Sequence, residues 1–220
     1  FVGPSSVALQ INNVTEENSN SNIPSIRTGY TVTEKADGDR KLLMISDTGR
    51  LYLIDTNMNV QFTGAKTTSA DLFGSIIDGE HISHNFKGVF INLYAAFDIY
   101  YLNRKDVRKL DFVGKVGDKK DNSRLAIVNR VNNLLRPFGI KSRESASPMR
   151  FEVKTFYSSS ETESIFTACS SIMDKINMAD KGFEYKTDGL IFTPMFIGVG
   201  GTKSGETTKN PVKTSWGLSF

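Results

Sequence analysis

Apolar and polar positions begin to alternate at Tyr30, and the pattern returns in short runs along the first half of the chain. A strand is predicted from Tyr30, then strands at 42–45 and 51–54, with Asp47-Thr48-Gly49 as the turn between those two. Further strand patterns cover 76–82, 89–93, 95–102, 149–156, 189–193 and 212–220. Two stretches change to helical spacing. Arg124–Leu135 aligns Leu125, Val128, Val131, Leu134 and Leu135 on one face, and Pro137 ends it. A second helix from about Glu161 to Met178 carries Ile165, Phe166, Cys169, Ile172, Met173 and Ile176 as its apolar stripe. Ser160, with Glu163 three residues later, forms a capping box at its start. Residues 12–26, rich in Asn, Ser and Glu, read as a loop. Strands this closely spaced, with no helix between each pair, predict an α+β fold of antiparallel sheets with flanking helices.

A length of 220 residues suits one large domain or two small ones. Hydrophobic residues at 39% and charged residues at 23% are ordinary for a soluble protein. No run of 18 apolar residues exists, so no membrane partner is expected. Phe1-Val2-Gly3-Pro4 has neither a start Met nor a signal pattern, and residues 216–220 read as a strand cut in mid-course. The expectation is a non-secreted piece of a longer polypeptide. The single cysteine, Cys169, excludes an internal disulfide and reads as a buried structural thiol. Net charge is only +3, yet residues 104–143 hold twelve Lys or Arg against four Asp. That asymmetry fits a polyanionic partner on one face, or else a solvated loop and helix surface.

The chemistry concentrates in Glu34-Lys35-Ala36-Asp37-Gly38-Asp39-Arg40, at the end of the first strand. A lysine attacks phosphorus only as a neutral amine, and an Asp-Gly turn just after it presents that amine at a strand end. Arg40 offers a fork of donors to a sugar or phosphate oxygen. Ile77-Asp78-Gly79-Glu80 supplies a carboxylate after a second tight turn, and Ala96-Phe97-Asp98-Ile99-Tyr100 sets an aromatic ring beside a carboxylate in an apolar strand. Lys186-Thr187-Asp188-Gly189-Leu190-Ile191-Phe192 gives a third Asp-Gly turn leading into a buried strand. Gly198-Val199-Gly200-Gly201-Thr202-Lys203-Ser204-Gly205 is not a Walker A loop, because Thr202 stands where Gly must precede Lys-Ser. It reads as a mobile surface loop. His81 and His84, without a cysteine or third ligand, read as surface residues rather than a metal site.

Taken in order, these segments resemble the covalent nucleotidyltransferase superfamily of mRNA capping enzymes and ATP-dependent ligases, whose catalytic domain is ATP-grasp-like. Lys35 to Arg40 looks like the Lys-x-Asp-Gly-x-Arg motif, Asp78-Gly79-Glu80 like the third motif, and Phe97-Asp98 like the aromatic strand after it. Asp188-Gly189-Leu190-Ile191-Phe192 looks like the fourth motif in its capping-enzyme form. The surrounding text is most similar to the guanylyltransferase domain of the multifunctional capping enzymes of large DNA viruses. The resemblance runs from Gly3-Pro4 to Phe220, and it implies one nucleotidyltransferase domain over residues 1–220.

The resemblance implies that Lys35 takes GMP from GTP as a lysyl–GMP phosphoramidate and passes it to the 5′-diphosphate end of RNA. It further implies Mg²⁺ or Mn²⁺ near Glu80 and Asp188, guanine stacked on Phe97, ribose held by Arg40, and guanine O6 reached by Lys154. A surface strand lysine is the alternative for Lys154, and Arg50 is a further phosphate candidate. RNA triphosphatase and methyltransferase domains are expected in the same polypeptide, in the cytoplasm, at a viral factory or in a virion. The family's fifth motif, a Lys-x-Lys strand, is not in the sequence, nor is the C-terminal oligonucleotide-fold domain; Lys209 and Lys213 are fallback candidates for that lysine role. The rival readings are an ATP-dependent RNA or DNA ligase adenylylation domain and a non-catalytic nucleotide- or RNA-binding module.

Overall fold

The computed structural model describes residues 3–16, 24–115, 120–135, 149–160, 163–178, 182–200 and the backbone of 213–217. In chain order the elements are β1 (Ser6–Ala8), β2 (Tyr30–Ala36), β3 (Asp39–Ile45), β4 (Arg50–Ile54), β5 (Val60–Lys66), β6 (Ser75–His84), β7 (Phe90–Leu102), β8 (Lys105–Asp106), α1 (Arg124–Leu135), β9 (Arg150–Val153), β10 (Tyr157–Ser158), α2 (Ile165–Asn177), β11 (Thr187–Pro194) and β12 (Lys213–Gly217). They fall into two compact units.

The first unit contains Gly38–Lys154 and Gly198–Gly200. Its sheet runs β5-β4-β3-β6-β7-β8, all neighbours antiparallel, and β9 lies parallel to β7. Leu43, Ile45, Leu51, Leu53, Ile77 and Ile99 leave water on one face of this sheet. α1 covers that face with Ile127, Val128, Val131 and Leu135. Leu134, expected on the apolar side, is instead exposed, and Asn132 is buried in its stead. The reason is angular: at about 100° per residue, Asn132 lies about 40° from Val128, inside the buried arc, whereas Leu134 lies about 120° to the other side, beyond Ile127. Pro137, the expected helix stop, lies outside the described residues. On the opposite face Leu42 and Tyr100 close over Val199, whose amide donates to the Arg108 carbonyl. Residues 198–200 are therefore packed, not a mobile surface loop; residues 201–205 lie outside the described residues.

The β6–β7 pair departs from simple pleating. Three shifts interrupt its register, at Ile76/Ile77, Asp78/Gly79 and Ile82/His84. Gly79 pairs with Ala96 and Asp78 with Asp98, so Phe97 has no counterpart on β6; Tyr100 is left over in the same way between Ile99 and Tyr101. These are β-bulges, which re-aim side chains and tighten local twist. They also let β7 run unbroken for 13 residues where two strands, 89–93 and 95–102, were expected.

The second unit contains Pro4–Asp37 and Thr155–Ile197, and its sheet runs β1-β12-β11-β2-β10. All neighbours are antiparallel except β1 and β12. α2 lays Ile165 and Ile172 against Ile26, Tyr30, Val32, Leu190 and Phe192, with Phe166, Cys169, Met173 and Ile176 partly buried beside them. The expected stripe is therefore the packed one. Burial pushes the Cys169 thiol up to about 11, as befits a structural cysteine. The helix starts later than its sequence implies. Ser164 is the N-cap and accepts from the Phe166 amide, whereas Ser160 Oγ accepts from the Glu163 amide in a turn before it. Of the expected strand at 149–156 only Arg150–Val153 forms, as β9, and β1, β5 and β10 were not foreseen.

Among the described residues no helix is long and apolar enough to cross a membrane.

Candidate active site

In the second unit, Lys35 and Asp188 meet through a defect in the ladder. Ala36 pairs with Thr187 and Glu34 with Leu190, so Asp188 and Gly189 together face the single residue Lys35. The expected Asp-Gly turn is thus a bulge inside β11. Gly189 adopts φ 142°, a region an L side chain rarely enters, which explains the glycine after the aspartate. The extra residue brings the carboxylate to the amine: Lys35 Nζ donates to Asp188 Oδ2 at 2.5 Å, with both side chains partly open to solvent. Asp188 Oδ1 is shielded from solvent and has no hydrogen-bond partner among the described residues.

Sequence reasoning passed over Glu34. It is buried on the other side of β2, where its Oε1 accepts from the Tyr185 hydroxyl and its Oε2 from Thr33 Oγ1, both at 2.8 Å. A buried carboxylate with two hydroxyl donors pins β2 beside Lys35. Its adjacency to the lysine was the available signal.

In the first unit, Arg40 and Glu80 are directly paired across β3 and β6. Arg40 grips Asp78 with a two-pronged contact, Nε to Oδ1 at 3.1 Å and Nη2 to Oδ2 at 2.6 Å. Asp78 is fully buried and also accepts from the Tyr100 hydroxyl. Burial alone would lower the Arg40 pKa, but the hydrogen bond and charge of Asp78 outweigh it and raise it, so Arg40 is a permanent cation. Asp78-Gly79, expected to be a tight turn, lies in mid-strand, because the β-ladder of β6 runs through both residues.

The Phe97 bulge places its half-buried ring 5.9 Å from the Arg40 guanidinium carbon. Lys154, just past β9, is buried rather than on the surface, and its amide donates to the Ala96 carbonyl one residue from Phe97. Gly38 owes its identity to close approach: a Cβ there would sit 2.8 Å from the His81 carbonyl and 2.9 Å from Glu80 Cγ.

The first unit therefore carries Arg40, Glu80, Phe97 and Lys154 on or just past the adjoining strands β3, β6, β7 and β9. Arg50 stands apart. It begins β4, beside the far end of β3 from Arg40 and so roughly 20 Å away at about 3.3 Å per residue. His81 is half-buried, not a surface residue: Nε2 meets Asn92 Oδ1 at 2.9 Å and Nδ1 meets Lys41 Nζ at 3.2 Å. Burial lowers its pKa, and a neutral ring with the proton on Nε2 satisfies both contacts. Among the described residues no three His, Cys, Asp or Glu side chains cluster as a metal site. Lys209 and the side chain of Lys213 lie outside the described residues.

A family model described as "mRNA capping enzyme, catalytic domain" matches residues 19–203. A "Probable mRNA-capping enzyme" of Acanthamoeba polyphaga mimivirus is 33% identical over 100 residues, which are 46% of this chain and only 8% of that protein. Two solved structures also align with 86% of the chain. A mycobacterial DNA ligase D complexed with ATP and MES is 14% identical with a TM-score of 0.48, and the ligase domain of M. tuberculosis LigD is 13% identical with the same score. The alignments span 55% and 54% of those chains.

Proposed function

The chain belongs to the mRNA capping enzyme catalytic-domain family, a family of nucleotidyltransferases, and from that premise we propose that it is a GTP:RNA guanylyltransferase with Lys35 as nucleophile. The observation that carries this reading is the Lys35–Asp188 contact made at the β11 bulge. It sets a primary amine at a strand end beside a carboxylate able to accept its proton.

In the proposed first step Lys35 Nζ attacks the α-phosphorus of GTP. A P–N bond forms, the bond from the α-phosphorus to the oxygen bridging to the β-phosphate breaks, and pyrophosphate leaves. Asp188 receives a proton from the amine. In the second step a terminal oxygen of the RNA 5′-diphosphate attacks the same phosphorus. The P–N bond breaks, and the proton returns to Lys35.

Arg40, fixed by Asp78, would hold the ribose, Phe97 would stack on guanine, and Lys154 would meet guanine O6. A divalent cation, Mg²⁺ or Mn²⁺, would supply charge neutralisation on the phosphates. The chain's fit to such an ion rests on hard oxygen donors. In the second unit Asp188 Oδ1 has no hydrogen-bond partner among the described residues, in the first unit Glu80 carries a carboxylate, and Mg²⁺ takes as few as one protein carboxylate alongside phosphates.

The test is incubation with metal and α-labelled GTP or ATP, followed by denaturation. Label retained from GTP supports the reading. Label retained only from ATP makes the protein a ligase-type adenylyltransferase, and no label from either leaves a binding module or an incomplete fragment that lacks the Lys-x-Lys strand. A second expectation concerns the base: Phe97→Ala weakens GTP binding by about 1–3 kcal/mol, the range for base–aromatic stacking, as measured by titration calorimetry. Phe97→Leu keeps the apolar volume, so its loss reports stacking alone. Equal affinity in all three proteins removes Phe97 from the site.

A further inference from the structure

β5 is the edge strand of the first unit's sheet, and its outward residues are not those of a solvated edge. Val60 is 61% exposed and Phe62 46%. Phe62 pairs across the ladder with Tyr52 of β4, the two ring centroids 5.3 Å apart and tilted by 45°. Arg50, exposed, lies over the Phe62 ring at 5.9 Å and pairs with Lys66, also exposed. Two cations side by side on neighbouring strands repel each other, an arrangement that costs stability unless an anion joins them. The acidic side chains at the rim are already engaged: Asp47 with Arg104 at 2.7 Å, and Asp55 with Asn57 and Asn59.

Ladder pairing places this cluster on the same sheet face as Arg40 and Glu80. Residues 40, 42 and 44 of β3 alternate onto one face, Met44 pairs with Tyr52, and Tyr52 with Phe62. The path from Arg40 to the level of Tyr52 is about 13 Å along β3, at about 3.3 Å per residue.

We propose that the outward face of β4 and β5 is a platform for the 5′ segment of a single-stranded acceptor RNA, with bases on Phe62 and Tyr52 and phosphates at Arg50 and Lys66. This rests on the guanylyltransferase reading for the identity of the strand. The chemistry is that of sequence-tolerant single-strand binding, in which bases stack on exposed rings while cations follow the backbone. A protein partner would find apolar area here too, but it would leave the adjoining cations Arg50 and Lys66 without a counter-charge.

The experiment is fluorescence anisotropy of a short, 3′-labelled single-stranded RNA with a 5′-diphosphate, titrated with the 220-residue chain over a range of salt. Phe62→Ala is expected to weaken binding about 5- to 150-fold, and Phe62→Leu nearly as much, since the aliphatic side chain offers no stacking face. Arg50→Gln combined with Lys66→Gln should reduce the slope of log affinity against log salt by about 1.4, at about 0.7 per phosphate on a single strand. A merely structural role would not change that slope. Phe62→Ala should still form as much covalent GMP adduct as the wild type. Unchanged affinity and slope in these variants overturn the platform, as does a wild-type protein with no measurable RNA binding. Self-association lost in Phe62→Ala with RNA affinity intact also overturns it and makes the face a contact between copies. If no adduct forms from GTP yet the variants lose RNA as described, the platform stands and the guanylyltransferase reading fails.

Discussion

Lys35→Ala is expected to eliminate covalent labelling by α-labelled GTP while leaving the urea unfolding midpoint within experimental error. Loss is total because only a primary amine at this position can form the P–N bond. Stability is spared because the Lys35–Asp188 pair is partly solvated, and such pairs contribute about 0–1 kcal/mol. Lys35→Arg is the sharper variant. It keeps a cation opposite Asp188, and so the local electrostatics, but a guanidinium does not give up its proton to become a nucleophile. Labelling at wild-type level in either variant would reassign the nucleophile to another lysine.

The second large effect is on folding. Arg124 and Asp98 are both fully buried, joined Nε to Oδ1 at 2.8 Å, and Arg124 also donates to the Leu110 carbonyl. Arg124 is the first residue of α1, and Asp98 lies on β7 directly after Phe97. Arg124→Ala leaves a carboxylate buried without its counter-charge and a carbonyl without its donor. The expected cost is about 3–5 kcal/mol, read from urea unfolding curves. Replacing both partners, Arg124→Met with Asp98→Leu, should recover most of that loss, because a well-packed apolar pair needs no desolvation of charge. A cost under about 1 kcal/mol for Arg124→Ala would show that the pair does not anchor the helix to the strand.

The two helices and most strands were legible because their signals are local. α1 spans the residues its spacing predicts, and the apolar stripe of α2 is the buried one. β5 was missed because Val60, Gln61 and Phe62 all face water, so no apolar alternation marks the strand. β1 escaped for a different reason: it pairs in parallel with β12, more than 200 residues away, and three exposed residues carry no local period. In the candidate site, the residue types were readable but not the geometry. Asp78-Gly79 and Asp188-Gly189 look like turns, since Asp-Gly favours them. Neither is one: the first lies within a ladder and the second at a bulge, and only the partner strand decides that. The partnership of Arg40 with Asp78 joins residues 38 positions apart and depends on the β3–β6 register.

The bulge at Phe97 also bears on how this chain tolerates changes of length. Where β7 is regularly paired, losing one residue would turn every side chain beyond it to the wrong face of the sheet. At position 97 the pairs on either side, Gly79 with Ala96 and Asp78 with Asp98, are already successive on β6. A deletion there would close the ladder into regular pleating with both flanking registers preserved, including the Asp98 anchor of α1. A lineage could therefore drop the aromatic ring, and with it the proposed hold on the base, while inheriting an intact sheet. Length variation at this one position would separate relatives that keep the fold from those that keep the chemistry.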